Sequence, residues 1–396
     1  EFRRVLFRSQ IIEEQILKLV IISFSWLLFV FQIPAKSFEN CDAPVLVCKA
    51  ATRVFAISSD DPLASAVLIE PGILVTNRHP IADRKFADIV LSNGSQMRAD
   101  VIPTSYPGDL MLLSIKGLDH LDPLIFSSEL KTDTEFFSVG ADIGRGKRIR
   151  VYNPGHLLSL PAPGKPLARI HHTSPSQPGN SGGALVNREG KLVGIITSGG
   201  EGRYEAIPVN QIEWLKKYSG IAYLDDSKRA GVTYKKCKNA ITNALSSRKR
   251  MNSAQVDFLF DYCKASSNRQ LFDLAGQALG KRGHYQKAID LFNLSLLQDP
   301  NALNSRISMV VTLHIAGKYS EESSHLKHLM DVLPSDLQVI RFAIQSGLWS
   351  NNKDLTKRGI ALLRKYHPKL LPLVEKLKKT PPPRKKNKVP SKTAPQ

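Results

Sequence analysis

Pro178-Gly179-Asn180-Ser181-Gly182-Gly183-Ala184-Leu185-Val186 sets a serine in a glycine-rich turn that runs directly into apolar sequence. A second apolar run, Leu192-Val193-Gly194-Ile195-Ile196, follows a few residues later. Glycines on both sides of a serine let the backbone bend sharply and leave amide N–H groups free to point at a ligand. A serine so placed can attack a carbonyl carbon while neighbouring amides hold the oxyanion that forms. Such a hydroxyl needs a base, and a base needs orienting. Upstream, Gly72-Ile73-Leu74-Val75-Thr76-Asn77-Arg78-His79 ends an apolar run on a histidine, and Asp109-Leu110-Met111-Leu112-Leu113 opens another on a carboxylate. The chain order is His79, Asp109, Ser181.

The three segments read TNRH, DLMLL and QPGNSGGAL. They resemble the trypsin-like serine proteases of the Deg/HtrA type, whose patterns are TNxH, DLAxL and NPGNSGGPL, over roughly residues 50–222. The resemblance implies two β-barrels with the site in the cleft between them. It also implies roles: Ser181 as nucleophile, His79 as general base and then acid, and Asp109 holding the imidazole. The amides of Gly179 and Ser181 would form the oxyanion hole. Residue 180 is Asn where digestive relatives carry an Asp that pairs with a newly cut N-terminus, so activation by N-terminal insertion is not expected. Pro175, six residues before the serine, offers no acid to receive Lys or Arg. Thr197 and Ser198 would line one pocket wall, which points to small or medium apolar side chains at P1. No cofactor or metal is implied.

Each residue also has a plainer reading. Ser181 could occupy a simple β-turn, His79 could be a surface histidine after a strand, and Asp109 a turn residue after Pro107-Gly108, with Asp83 and Asp100 as rivals. His171 and His172 read as pocket wall or surface.

A chain of 396 residues is long enough for two or three domains. Its net charge of +20 is concentrated in the C-terminal half, in Arg248-Lys249-Arg250 and the tail. That charge is either a solvated surface or an attraction to anionic surfaces. No nucleic-acid-binding motif accompanies it, so nucleic acid is set aside as a partner.

Residues 1–9 fit nothing downstream and read as a non-native scar. Residues 10–37 follow signal-peptide grammar. Lys18 precedes an apolar run over 19–31, shorter than the ~20 residues of a spanning helix, and Ala35 and Ser37 supply small residues for cleavage. Export to a periplasmic or secreted location follows, with an uncleaved anchor as the alternative. Four cysteines agree with an oxidising compartment. Three pairings are open; Cys41 with Cys48 and Cys237 with Cys263 are favoured because each is local. The spacings match no zinc site.

Residues 38–222 form the protease-like unit. Short apolar runs near 53–57, 66–69, 73–76, 87–91, 110–115, 136–139, 192–196 and 206–208, broken by Gly, Pro, Asn and Asp, read as all-β, with a closing helix over 211–218. Beyond residue 223 helical periodicity takes over: a helical linker with two cysteines (223–265), then repeats over 266–377. Gly283-His284-Tyr285 returns as Gly317-Lys318-Tyr319, and Pro300, Pro334 and Pro368 recur at one interval. This resembles the tetratricopeptide repeat. It stands where the Deg/HtrA family usually has a PDZ domain, and a generic helical array is the alternative. Leu271, Ala275, Leu279, Ala288, Phe292 and Leu296 fall at helical spacing and should pack between helices. The second repeat puts Glu322 where the first has Ala288, and the third has Asn351 and Lys353 in place of Gly and Tyr. Residues 378–396 are basic and Pro-rich and read as a disordered tail, available to an anionic surface. The sequence therefore reads as a multidomain chain, an all-β double barrel followed by an all-α repeat domain. Its expected work is peptide-bond hydrolysis on protein or peptide substrates, with the repeats recruiting substrates or a protein partner. The alternative is an inert protease-like domain serving a protein-binding scaffold.

Overall fold

The computed structural model describes residues 41–382 apart from Ser92, Thr132, Lys147, Arg248 and Lys249. The expected scar, signal peptide and most of the basic tail lie outside the described residues, though Lys378 and Lys379 belong to a helix.

The first barrel contains β1 (Val54–Ser58), β2 (Ala64–Glu70), β3 (Ile73–Thr76), β4 (Phe86–Val90), β5 (Gln96–Ile102) and β6 (Met111–Ser114). They close antiparallel in the order β1-β2-β3-β6-β5-β4, which leaves no open edge. Phe55, Ile57, Ala66, Leu68, Leu74, Ile89, Met111 and Leu113 fill the interior. The opposite faces of β1, β2 and β3 are buried too. Val54, Val67, Ile69 and Val75 meet Phe137, Val139, Ala184 and Val186 in a core shared with the second barrel. That double burial explains why these strands read as continuous apolar runs rather than as alternation.

The second barrel uses β7 (Glu135–Asp142), β8 (Arg148–Val151), β9 (Gly155–Ser159), β10 (Ile170–His172), β11 (Ala184–Asn187), β12 (Leu192–Gly200) and β13 (Arg203–Pro208). Six close in the order β11-β12-β13-β10-β9-β7 through a β7–β11 pairing, and β8 extends along β7. Phe136, Ile170, Leu185, Val193, Ile196 and Ala206 fill it. Two short helices cover the shared core: α1 (Val45–Ala51) through Val47 and Ala50, and α2 (Asn210–Lys217) through Ile212 and Leu215. The Cys41–Cys48 disulfide pins the start of α1.

Nine α-helices follow among the described residues: α3 (Leu224–Ser246), α4 (Ser253–Ala265), α5 (Arg269–Lys281), α6 (Tyr285–Gln298), α7 (Leu303–Ile315), α8 (Ser323–Val332), α9 (Leu337–Trp349), α10 (Lys353–Tyr366) and α11 (Pro372–Lys379). The pairs α5/α6, α7/α8 and α9/α10 carry the repeat. Their tight turns place Gly283, Gly317 and Asn351 at positive φ of 82°, 71° and 58°. Asparagine is the residue that best substitutes for glycine in that region, so the third repeat keeps the turn without it. Pro300, Pro334 and Pro368 each follow a helix end, as a residue without an N–H should. Glu322 is fully buried in the second pair because His314 and Ser346 satisfy its carboxylate.

The segment read as a helical linker packs against the helices that follow. α3 and α4 are joined by the Cys237–Cys263 disulfide and share one core with α5 and α6 through Cys237, Ile241, Leu259, Leu271 and Phe292. The bridge spans 26 residues of sequence, and closing a loop of that length contributes about 3 kcal/mol. A Cys237→Ser/Cys263→Ser double variant should therefore lose about 3 kcal/mol of stability in urea denaturation; an unchanged midpoint would contradict this.

Candidate active site

His79 lies in the turn after β3, and Asp109 lies two residues before β6; β3 and β6 are hydrogen-bonded neighbours. The strand pairing thus brings base and carboxylate together. The His79 imidazole Nδ1 lies 2.8 Å from Asp109 Oδ2, and the His79 amide donates to Asp109 Oδ1 at 3.0 Å. The Asn77 side-chain amide and the Arg78 backbone N–H both donate to the Asp109 carbonyl. Every residue of the Asn-Arg-His stretch therefore faces this one position. The Arg78 guanidinium is buried and donates to the Thr104 carbonyl at 3.2 Å. Burial lowers its pKa to about 10, against the opposing pull of Asp109.

Asp109 is 3% exposed. Burial pushes its carboxyl up, but His79, Arg169 and the Thr197 hydroxyl together hold it below the usual carboxylate range. The rivals do not reach His79. Asp83 is paired with Lys235 on α3, and Asp100 is exposed on β5.

The serine loop comes from the second barrel, between β10 and β11. Gly179 and Gly182 have φ of 103° and 84°. A Cβ at Gly182 would lie 2.1 Å from the Ser65 carbonyl oxygen, and one at Gly183 2.3 Å from the Val139 carbonyl. The two glycines let the loop sit directly against both barrels. Asn180 is fully buried: its amide donates to the Ala141 carbonyl and to the Tyr152 hydroxyl, and its oxygen accepts from the Gln177 amide. A neutral side chain holds the loop in place.

The amides of Asn180, Gly182 and Gly183 all donate to backbone carbonyls. Among the described residues those of Gly179 and Ser181 donate to none, so both remain available to a ligand. The Ser181 hydroxyl donates to the Thr197 carbonyl at 3.3 Å, and among the described residues no hydrogen bond joins it to His79. Thr197 thus links the two halves, since its own hydroxyl donates to Asp109 Oδ2 at 3.1 Å. Pro175 is half-buried before the loop. Ser198 is half-buried, and its hydroxyl donates to Glu205 and accepts from Arg169.

Two features were not read from the sequence. Ser65 on β2 donates its hydroxyl to the Gly179 carbonyl, accepts from the Ala141 amide, and donates its own amide to the Ser181 carbonyl. It rivets the serine loop to the first barrel. The second is a buried charge cluster behind Thr197. Arg169 donates to Glu205 at 2.9 Å, Arg269 of α5 also pairs with Glu205, and His171 Nε2 lies 2.9 Å from Asp299 at the end of α6. His171 and His172 are both buried. Arg169 just before β10 and His171 on it were the available signal, but Glu205 lies on β13, and Arg269 and Asp299 come from the helical region.

The carboxyls of Glu205 and Asp299 feel an upward push from burial, yet the adjacent Arg269, Arg169 and His171 hold Glu205 low, and His171 and Arg269 hold Asp299 low. A carboxylate whose native pKa lies below its unfolded value of about 4 lends stability above that value and loses it as pH falls toward the native one. Glu205→Gln should therefore lower the melting temperature most at neutral pH, and the gap to wild type should narrow below about pH 4. A gap independent of pH would remove Glu205 from the ion cluster.

Two closed antiparallel barrels, with a serine loop of one facing a His–Asp pair of the other, are the architecture of trypsin-like peptidases. The family model of the trypsin-like peptidase domain matches residues 64–195. A probable periplasmic serine endoprotease DegP-like of Buchnera aphidicola subsp. Baizongia pistaciae is 28% identical over 196 residues, 46% of this chain and 42% of that protein. The serine protease Do-like HtrA of Lactobacillus helveticus is 31% identical over 158 residues, 36% of this chain and 38% of that protein. The solved structure of the HtrA-type protease AlgW with tripeptide is 26% identical, covers 43% of this chain and 61% of that one, and has a TM-score of 0.39. The chain spans less than half the length of these two curated relatives. It carries a trypsin-like peptidase domain similar to that of the HtrA and DegP proteases, followed by an all-helical region.

Proposed function

We propose that this protein is a serine endopeptidase in which Ser181, His79 and Asp109 act as the catalytic triad. The observation that carries the reading is the buried Asp109 carboxylate gripping both the ring and the amide of His79. With Nδ1 held by Asp109, the Nε2 side of the ring is the one left for the serine.

The reaction begins with rotation of the Ser181 hydroxyl from the Thr197 carbonyl to His79 Nε2. Ser181 Oγ attacks the scissile carbonyl carbon as His79 takes its proton. The carbonyl oxygen becomes an oxyanion, received by the amides of Gly179 and Ser181; losing one such donor typically costs about 3 kcal/mol of transition-state stabilisation. His79 then gives its proton to the leaving amine, and the C–N bond breaks. Water, deprotonated by His79, attacks the acyl-enzyme and restores Ser181. Asp109 stays ionised throughout, in keeping with its lowered pKa.

The substrates are proteins or peptides with small or medium apolar P1 residues, since neither Pro175 nor Ser198 offers a free anion to a basic side chain. Two disulfides and the periplasmic relatives favour an exported protein. Among the described residues no helix is long and apolar enough to cross a membrane. The helix pairs read as tetratricopeptide-like, with a surface available to a protein partner. The basic tail is available to an anionic surface.

One observation favours a second reading, a protease-like domain that is inert and serves binding alone: the Ser181 hydroxyl rests on Thr197 rather than on His79. Cleavage of casein and of a peptide library separates the two. Wild type should cut with the stated P1 preference, and Ser181→Ala should fall by about 10⁴-fold or more. Equal product from both proteins would leave only the binding reading.

A further inference from the structure

The helical region touches the two barrels at the places that support the candidate triad. On the histidine side, the turn after His79 packs under α3. Lys238 on α3 donates to Asp60 at 3.0 Å and to Asp61 at 2.6 Å, and Lys235 donates to Asp83 at 3.0 Å. The amides of Asp60 and Asp61 in turn donate to the carbonyl of Pro80, the residue next to His79. Ala82 holds a positive φ of 51°, and its amide donates to the Arg78 carbonyl. Gly231, in the middle of α3, lies so close that a Cβ there would be 2.4 Å from the Ala82 carbonyl oxygen. A mid-helix glycine costs roughly 1 kcal/mol relative to alanine; this one is explained by the helix resting on the histidine turn. Ala82 belongs to the same core as Tyr234, Cys237 and Leu271.

On the aspartate side, the start of α5 meets the wall behind Asp109. A small cavity there is lined by Gly108, Asp109, Arg169, Asn268 and Arg269. Arg269 and Asp299 grip β10 and β13 through Glu205, His171 and the Arg169 amide. Glu205 stands opposite Ser198 in the β12–β13 ladder, next to Thr197, which carries the hydrogen bonds to both Asp109 and Ser181. α3 and α5 are not independent, because they share one core and α3 is bridged to α4 by a disulfide. One block of helices thus braces the first barrel at the histidine turn and the second at the Thr197 wall.

We propose that the helical region is a working part of the catalytic scaffold, with Lys238 a positioning residue that seats the His79 turn through Asp60 and Asp61. The inference rests on the serine-hydrolase reading for its effect on turnover, while its structural half stands apart from it. A consequence is that a partner displacing α3 relative to α5 changes turnover, and not only the capture of large substrates.

The test uses full-length Lys238→Glu, Lys238→Met and the charge-swapped Asp61→Lys/Lys238→Glu, each checked for a cooperative melt. The substrate is a small fluorogenic peptide that needs no recruitment. Lys238→Glu should lower kcat at least about tenfold with KM changed less than about twofold, since sub-ångström misplacement of a catalytic group is expensive. Lys238→Met should be milder, and the swap should recover most of the loss. In the same proteins, hydrogen exchange should speed up at the amides of Asp61, Ile81 and Ala82 in Lys238→Glu and return toward wild type in the swap. Unchanged exchange at those amides overturns the inference whatever the activity. Faster exchange with unchanged kcat overturns it equally. Faster exchange in a chain whose wild type neither turns over nor reacts with a fluorophosphonate supports the brace and counts against the hydrolase reading alone. Should Lys238→Glu fail to fold, Lys238→Met and the swap carry both readouts.

Discussion

A buried carboxylate with no compensation would be among the most costly groups in the molecule. Asp109 is compensated from several directions at once. The first barrel supplies the amide and the imidazole of His79, and the second supplies the Thr197 hydroxyl and the nearby Arg169 cation. Arg169 is itself held by Glu205, which is shared with Arg269 of α5. Keeping one anion satisfied therefore ties together two barrels and the helices behind them. The apolar core between the barrels brings the pieces to the same place; the polar contacts around Asp109 determine how they meet.

Around that anchor the serine loop is packed to the limit. Gly182 and Gly183 have no room for a side chain, and Ser65 and Asn180, both fully buried, hold the loop through hydrogen bonds. Among the described residues the amides of Gly179 and Ser181, on either side of Asn180, donate to no backbone carbonyl. A loop so fixed is preorganised, which is the condition under which amide donors are worth most to a developing oxyanion.

Much of this was legible in the chain because short-range chemistry writes itself into short motifs. The glycine turn around Ser181 and the local disulfide pairs are examples, and so is the recurrence of Pro300, Pro334 and Pro368. β2 and β12 are buried on both faces and announced themselves as apolar runs. β5 did not: its Gln96, Arg98 and Asp100 face solvent, so its seven residues carry too little apolar signal. β8 was hidden in the same way by Arg148 and Arg150. The role of Ser65 was invisible because a serine in an apolar strand looks like any other. The Arg169–Glu205–Arg269 cluster joins residues whose neighbours in sequence say nothing about one another. The helical character of 223–265 was legible, but its packing against α5 and α6 was not, because the glycine and proline signals of the repeats are missing there. Thr197 was read as pocket wall; the hydrogen bond from its hydroxyl to Asp109, 88 residues away in the chain, left no local signal.

The central claim is that the Asp109-held imidazole can activate Ser181. Labelling with a fluorophosphonate, followed by mass spectrometry of the modified peptide, tests it most directly. The account predicts a single adduct on Ser181 in the wild-type chain and a rate of adduct formation that collapses in His79→Ala. Labelling that ignores His79, or a wild-type chain that stays unmodified at Ser181, would contradict it.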